Sequence, residues 1–208
     1  MQTRILKDND LSYAVATLIN GGLVGVPTET VYGLAGNGFD AAAVAKIYEV
    51  KGRPEVKPLS LLVPSIEVAK TVCAEFPEDA YILAKTFWPG PLTIVLPVKD
   101  TVPSIVTADG DTIGVRCPDH AKTLRLLGLA GVPAAAPSAN ISDKPSPKNA
   151  YDVLAYFDGK IECIIDGGEC TIGVESTVIS LVTKPYKIFR QGALSEEDIY
   201  KALKKHQN

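Results

Sequence analysis

Five stretches of this chain run from apolar residues into small, hydroxylic or cationic ones: PTETVYG (27–33), KGRPEVKPL (51–59), TIGVR (112–116), APSANISDKPSP (136–147), and GVESTV with FRQG (173–178 and 189–192). Lys51, Arg53 and Lys57 concentrate positive charge beside a glycine and two prolines that make a turn. Ionised donors to phosphate form hydrogen bonds worth about 1.5–3 kcal/mol each, so this cluster has the chemistry of a polyphosphate grip. A solvated basic face has the same spacing, and spacing alone leaves both readings open. Arg116 is different: it ends an apolar run, where a guanidinium is costly unless it meets a planar anion such as a carboxylate. Thr28, Glu29 and Thr30 put polar atoms at the mouth of LVGV, and such atoms need internal partners or a ligand. Taken singly, Ser138, Asn140, Ser176 and Thr177 fit capping or strand roles as well as functional ones. Together the stretches point to a cleft for an anionic, phosphorylated ligand without naming the reaction, because strand ends are where open α/β sheets build their sites.

Several chemistries are excluded. There is no GxxxxGK[ST], the glycines at 33, 36 and 38 have the wrong order for a dinucleotide turn, and no G-x-S-x-G elbow occurs. Cys117 and His120 form a C-x-x-H with no second half-site for zinc, and the only other histidine is His206, close to the C-terminus. The four cysteines, Cys73, Cys117, Cys163 and Cys170, show no CxxC pair and read as small core residues of a cytoplasmic protein. A net charge of −3 argues against a main role in sequence-independent nucleic-acid binding, so any anion-binding surface is local. The N-terminus, with Arg4, Lys7, Asp8 and Asp10, cannot form a signal-peptide core, and no apolar run reaches the roughly 18 residues of a membrane span.

The elements that must position these residues follow from periodicity and punctuation. Leu11–Ile19 predicts a helix stopped by Asn20-Gly21-Gly22, and LVGVPT a strand. Asp40 caps a helix that delivers the chain to Lys51; Ser65 and Pro77 start two more, the second ending at Trp88-Pro89-Gly90. PLSLLV, LTIVLPV and TIGVRCP read as strands, with a loop over about 99–111, then a helix in DHAKTLRLLGLAG and a strand in VPAAAPSAN that enters a polar turn. The loop NISDKPSPKN, rich in proline and lysine, reads as a cover over a site. A helix at 149–157, strands IECIID, STVISLV and YKIFR, and a terminal helix capped by Ser195 complete the chain. The interleaving is not a strict βαβ repeat, so a mixed parallel and antiparallel sheet is expected, with helices on its faces, in one domain spanning 1–208.

Taken in order, PTETVYGLAG, the K-x-R-P of Lys51–Pro54, the K-P-L of Lys57–Leu59, WPGPLT (88–93), IGVRCPDH (113–120), PSANISDKPSP (137–147), ESTV and RQG resemble the YrdC-like family of threonylcarbamoyl-AMP synthases over nearly the whole length. The resemblance implies a YrdC/RibB-like α/β fold, a twisted open sheet around a large basic cavity. It implies a nucleotidyltransferase reaction in which L-threonine, bicarbonate and ATP give L-threonylcarbamoyladenylate and pyrophosphate. The product would pass to a tRNA threonylcarbamoyl-transferase complex that modifies the base next to the anticodon. Carried over residue by residue, it places Thr30, Arg116, Ala136 (by its main chain) and Ser176 at threonine. Lys51, Arg53, Lys57, Thr112, Ser138, Asn140, Ser146 and Arg190 would lie along ATP, with Lys51 and Arg53 as electrostatic stabilisers. No protein nucleophile is implied, magnesium arrives with ATP and needs no protein ligand, and the glycines of the first motif let backbone approach the substrate. Some members have histidine near Leu62, so a threonine contact there is open. Longer members carry a second C-terminal domain, whereas this chain ends 16 residues after RQG, which leaves the catalytic domain. Two other classes remain: a double-stranded RNA-binding module, with weak RNA binding in the same cavity, and a carbamoyltransferase acting through a carbamoyl-adenylate, as in hydrogenase-maturation proteins.

Overall fold

The computed structural model describes residues 2–7, 10–54 and 56–205; His206 lies outside the described residues. In chain order the elements are β1 (Arg4–Leu6), α1 (Ser12–Ile19), β2 (Val24–Val26), β3 (Gly33–Asn37), α2 (Ala41–Lys51) and β4 (Ser60–Leu62). Then come α3 (Ile66–Val72), α4 (Glu78–Phe87), β5 (Leu92–Pro97), α5 (Ser104–Thr107), β6 (Thr112–Arg116) and α6 (Ala121–Ala130). The last third contains β7 (Ala134–Ala135), α7 (Ala150–Phe157), β8 (Cys163–Ile165), β9 (Thr177–Ser180), β10 (Lys187–Arg190) and α8 (Glu196–Lys205).

Helix starts follow side-chain capping. Asp40 accepts from Ala42 N at 2.9 Å to open α2, Ser65 accepts from Val68 N at 3.3 Å to open α3, and Asn149 accepts from Tyr151 N and Asp152 N to open α7. Ser195 does the same for α8 through Asp198 N, with Glu196, Glu197 and Asp198 in the first turn and Lys204 and Lys205 in the last, as the helix dipole favours. Gly52 ends α2 in the left-handed region, at φ 58°, so the chain reverses just after Lys51.

The strands form one mixed ten-stranded sheet in the order β1-β8-β2-β3-β7-β4-β6-β5-β9-β10. Pairs β1/β8, β2/β8, β4/β6 and β5/β9 are parallel, and the others antiparallel. Side chains alternate between two buried layers, as the strand period requires. In β8, Cys163 and Ile165 join the smaller core with Leu18, Val24, Val26 and Leu126, whereas Ile164 joins the larger core with Leu34, Ile47, Ile94, Val115 and Phe157. Helices α1 and α6 pack together and supply the smaller core; α2, α4, α7 and α8 supply much of the larger.

Four elements differ from what the sequence predicts. The glycine-rich GLAGN is a strand, β3, with Leu34 and Ala35 fully buried. Its glycines mainly serve packing: a Cβ on neighbouring Gly38 would sit 2.9 Å from the Pro133 carbonyl and 2.6 Å from Leu61, so only glycine lets the strand end close on its neighbours. The three-residue β1 is an edge strand held by β8, too short for a periodic signal. A short helix, α5, interrupts the predicted 99–111 loop, and the strand expected in VPAAAPSAN is reduced to two residues, β7.

Candidate active site

A cavity of about 370 Å³ opens between the central strands and the β9–β10 edge. Three arginines, Arg53, Arg116 and Arg190, line it with one carboxylate, Glu175; apolar contributions come from Leu62, Val95, Val178 and Phe189. Among the described residues no histidine, cysteine, lysine or aspartate lines it. It therefore holds no histidine-, cysteine- or lysine-based nucleophile pair, and arginines dominate its charge.

At one end stands Arg116, only 7% exposed, at the end of β6, where it is paired in register with Leu62 of β4. Its Nε donates to the Gly90 carbonyl at 3.1 Å; Nη2 donates to Glu29 Oε1 at 2.7 Å and to Thr30 Oγ1 at 2.9 Å. Burial pushes the guanidinium pKa down, and the Glu29 carboxylate opposes that shift. Glu29 is itself 6% exposed, and its Oε2 accepts from Asp119 N at 3.1 Å. The carboxylate that Arg116 demands is thus supplied from within the chain.

At the other end Arg190, exposed on β10, donates through Nη1 to Glu175 Oε2 at 2.8 Å, through Nε to the Ser176 carbonyl at 3.0 Å and through Nη2 to Ser176 Oγ at 3.0 Å. Ser146, from the predicted cover loop, donates to Glu175 Oε1 at 2.9 Å. Glu175 therefore ties that loop to the sheet edge. The fit is close: a Cβ on Gly192, the glycine of RQG, would lie 2.3 Å from the Glu175 carbonyl.

Of the residues singled out in the sequence, Arg53, Thr112, Arg116, Ala136, Ser138, Ser176 and Arg190 line the cavity. Ala136 N is taken by the Ser60 carbonyl at 3.0 Å. The other five do not line it. Thr30 is fully buried against Arg116. Lys51 is 2% exposed, and its Nζ donates to the Ser138 and Asn140 carbonyls, both at 2.5 Å. Burial lowers its pKa to about 8, with nearby Arg53 adding to the effect. Lys51 thus anchors the Ser138–Asn140 turn from below and is not the solvated cation its charge cluster suggests. Asn140 spends its amide on the Ile141 and Lys144 carbonyls, closing the same turn. Ser146 reaches the cavity only through Glu175, and Lys57 is exposed, its carbonyl accepting from Tyr48 Oη and Arg53 Nε. Arg53 also donates to the Pro58 carbonyl at 3.1 Å, which braces its guanidinium at the cavity wall.

Sequence reasoning missed Glu29 and Glu175 as site residues. A signal existed for Glu29: an acid in an apolar stretch and an arginine in an apolar strand are complementary misfits, and each needs the other. The C-x-x-H of Cys117 and His120 assembles no metal site; Cys117 Sγ donates to the Pro64 carbonyl, and no cluster of three candidate ligands exists among the described residues. All four cysteines are free, with burial raising the thiol pKa of each, to about 11 or 12, so none is activated.

The mixed sheet and its arginine-lined cavity define an α/β protein with a basic cleft whose wall is built from segments far apart in the chain. The chain belongs to the Sua5/YciO/YrdC family, whose model, described as Telomere recombination, matches residues 16–192. It is 52% identical over 190 residues to a threonylcarbamoyl-AMP synthase of Pyrococcus abyssi, covering 91% of this chain and 56% of that protein. It is 45% identical over 193 residues to one of Bacillus subtilis, covering 92% and 56%. The structure superposes on P. abyssi Sua5 complexed with L-threonine with a TM-score of 0.94 at 47% identity, covering 98% of this chain and 61% of that one. The chain spans little more than half the length of these relatives.

Proposed function

We propose that the chain forms L-threonylcarbamoyladenylate from L-threonine, bicarbonate and ATP, with release of pyrophosphate. The observation that carries this reading is the convergence of most of the family's motif stretches on one basic cavity without a histidine, cysteine or lysine nucleophile. Adenylation of a carbamate needs none. Bicarbonate takes up a proton and loses water to give carbon dioxide, the neutral threonine amine adds to its carbon and sheds a proton that balances the one bicarbonate consumed, and a carbamate oxygen attacks the α-phosphorus as pyrophosphate departs in line. What the protein must supply is orientation of three reactants, which reaches roughly 7–11 kcal/mol in favourable cases, and fixed charge against the phosphates.

Arg116 suits the threonine carboxylate, with Ser176 and the Ala136 main chain beside it; Arg53, Thr112, Ser138 and Arg190 suit the triphosphate. Lys51 and Asn140 serve ATP by holding the Ser138 turn in shape, and Ser146 by the loop it secures. Magnesium fits as a passenger on the triphosphate: Glu175 is the one carboxylate among the described residues at the cavity wall, too few for an all-protein site. Bound there, it would offset phosphate charge. Transfer of the product to a tRNA-modifying complex belongs to the same reading. No described helix is long and apolar enough to cross a membrane.

The test is incubation with ATP, bicarbonate and a panel of amino acids, reading pyrophosphate and adenylates by mass spectrometry. Pyrophosphate should require threonine and bicarbonate jointly. Equal release with carbamoyl phosphate in place of both moves the chain to the carbamoyltransferases.

A further inference from the structure

A guanidinium has five N–H donors, and the surroundings of Arg116 assign three of them. Nε is spent on Gly90, and both Nη2 hydrogens are spent on Glu29 and Thr30. The two on Nη1 take no partner among the described residues, while the side chain lines the cavity. The usual two-nitrogen fork for a carboxylate is therefore closed. The hydroxyls behind it are committed as well. Thr28 Oγ1 donates its single hydrogen to the Val31 carbonyl at 2.7 Å, so in its 2.9 Å contact with Thr30 Oγ1 it must accept, and Thr30 must donate. The polar chain runs one way, from Arg116 to Thr30 to Thr28 to Val31. The Thr30 hydroxyl, buried and already donating, has no hydrogen left for a substrate carboxylate.

From this geometry we propose that Glu29 is the positioning residue of the amino-acid end. By taking the Nη2 edge of Arg116 it makes the guanidinium meet the ligand carboxylate through Nη1 alone, and Thr30, whose hydrogen is committed to Thr28, holds the same edge in place. The proposal rests on the threonine reading above and deepens it. Glu29 also neutralises most of the charge on Arg116, so the pocket holds a carboxylate by oriented hydrogen bonds more than by net positive potential.

The test is steady-state kinetics on Glu29→Gln and Glu29→Asp, with threonine and ATP varied separately and folding checked by thermal melting. In Glu29→Gln the KM for threonine should rise about 10-fold or more, while kcat at saturating threonine and the KM for ATP stay within about 2-fold. Glu29→Asp, which keeps the charge, should recover part of the loss. In an Arg116→Lys background, Glu29→Gln should add little, because the residue acts through Arg116. A folded Glu29→Gln variant with the wild-type KM for threonine overturns the proposal and leaves Glu29 a purely structural partner. Should the variant not fold, wild-type protein labelled with nitrogen-15 arginine decides: saturating threonine should shift the Nη1 resonance of Arg116 and spare Nε and Nη2. An equal shift of Nη2 means the ligand displaces Glu29 and overturns the proposal. A wild-type chain that forms adenylate from no amino acid overturns the threonine reading and this proposal with it, an outcome distinct from both.

Discussion

The cavity has an arginine–glutamate pair at each end, Arg116–Glu29 at 2.7 Å and Arg190–Glu175 at 2.8 Å. Their lengths are nearly equal, but their side-chain exposures are 8% and 6% in the first against 45% and 36% in the second. Removing one partner of a buried pair leaves an uncompensated charge in low dielectric and costs about 3–5 kcal/mol, whereas exposed pairs contribute about 0–1 kcal/mol. The Arg116 end is therefore set when the chain folds. The Arg190 end can exchange partners, and the donors now held by Glu175, Arg190 and Ser146, are ones that an anionic triphosphate could take instead. The Arg116 end is rigid, its charge paired in the interior; the Arg190 end is adjustable and open to solvent.

The largest effect expected from this contrast is on stability. Glu29→Ala should lower unfolding free energy by about 3–5 kcal/mol and Glu175→Ala by at most about 1 kcal/mol in denaturant titrations at neutral pH. Similar losses in both variants would erase the distinction between the two ends.

On function, Arg116→Lys should reduce threonine use by about 10- to 100-fold with near-normal ATP affinity, because a point charge cannot serve Gly90, Glu29, Thr30 and a ligand together. Separate titrations of ATP and threonine read it out, and a collapse of ATP affinity with threonine retained would reverse the division of the cavity.

At the opposite end, Arg53→Ala should weaken ATP binding or turnover by about 10-fold while thermal stability barely changes, since its contacts are at the surface. Lys51→Ala should differ by losing stability too, because it strips two buried carbonyls of their donor. Wild-type ATP kinetics in Arg53→Ala would return that residue to the solvent-facing role.

A pH dependence is expected as well. The pKa of Lys51 falls from 10.5 in the unfolded chain to about 8 in the folded one, so between these values the unfolded chain holds more protons. Stability from this group should therefore rise from pH 8 towards 10.5, and below 8 the penalty is fully present. Melting curves of wild type against Lys51→Met should show the wild type gaining relative stability across that window. A constant difference would mean that Lys51 titrates normally and is better solvated than its burial suggests.

Elements marked by local chemistry were legible in the chain. Asp40, Ser65, Asn149 and Ser195 all precede real helices, because capping is a bond between neighbours in sequence. β1 and β3 were not, because what makes them strands lies elsewhere: β1 exists by pairing with β8, and β3 by pairing with β2 and β7, with Gly38 after it closing on Pro133 and Leu61. The candidate site divides along the same line. Its stretches could be read as ligand-facing from their residue types, and seven of the twelve residues do line the cavity.

The sequence alone determined that this is a mixed α/β chain with cationic and hydroxylic residues gathered at strand ends, because hydrophobic period, caps and turn residues act over a few positions. Only the tertiary structure decided which of those residues face the cavity. Lys51 and Arg53 are two positions apart, but the reversal at Gly52 sends one into the protein beneath the Ser138 turn and the other to the cavity wall. Glu29 and Arg116 lie far apart in the chain, and the cost of burying either charge alone is what forces them together. A charge's meaning depends on the partner it meets after folding, and strand order sets that partner.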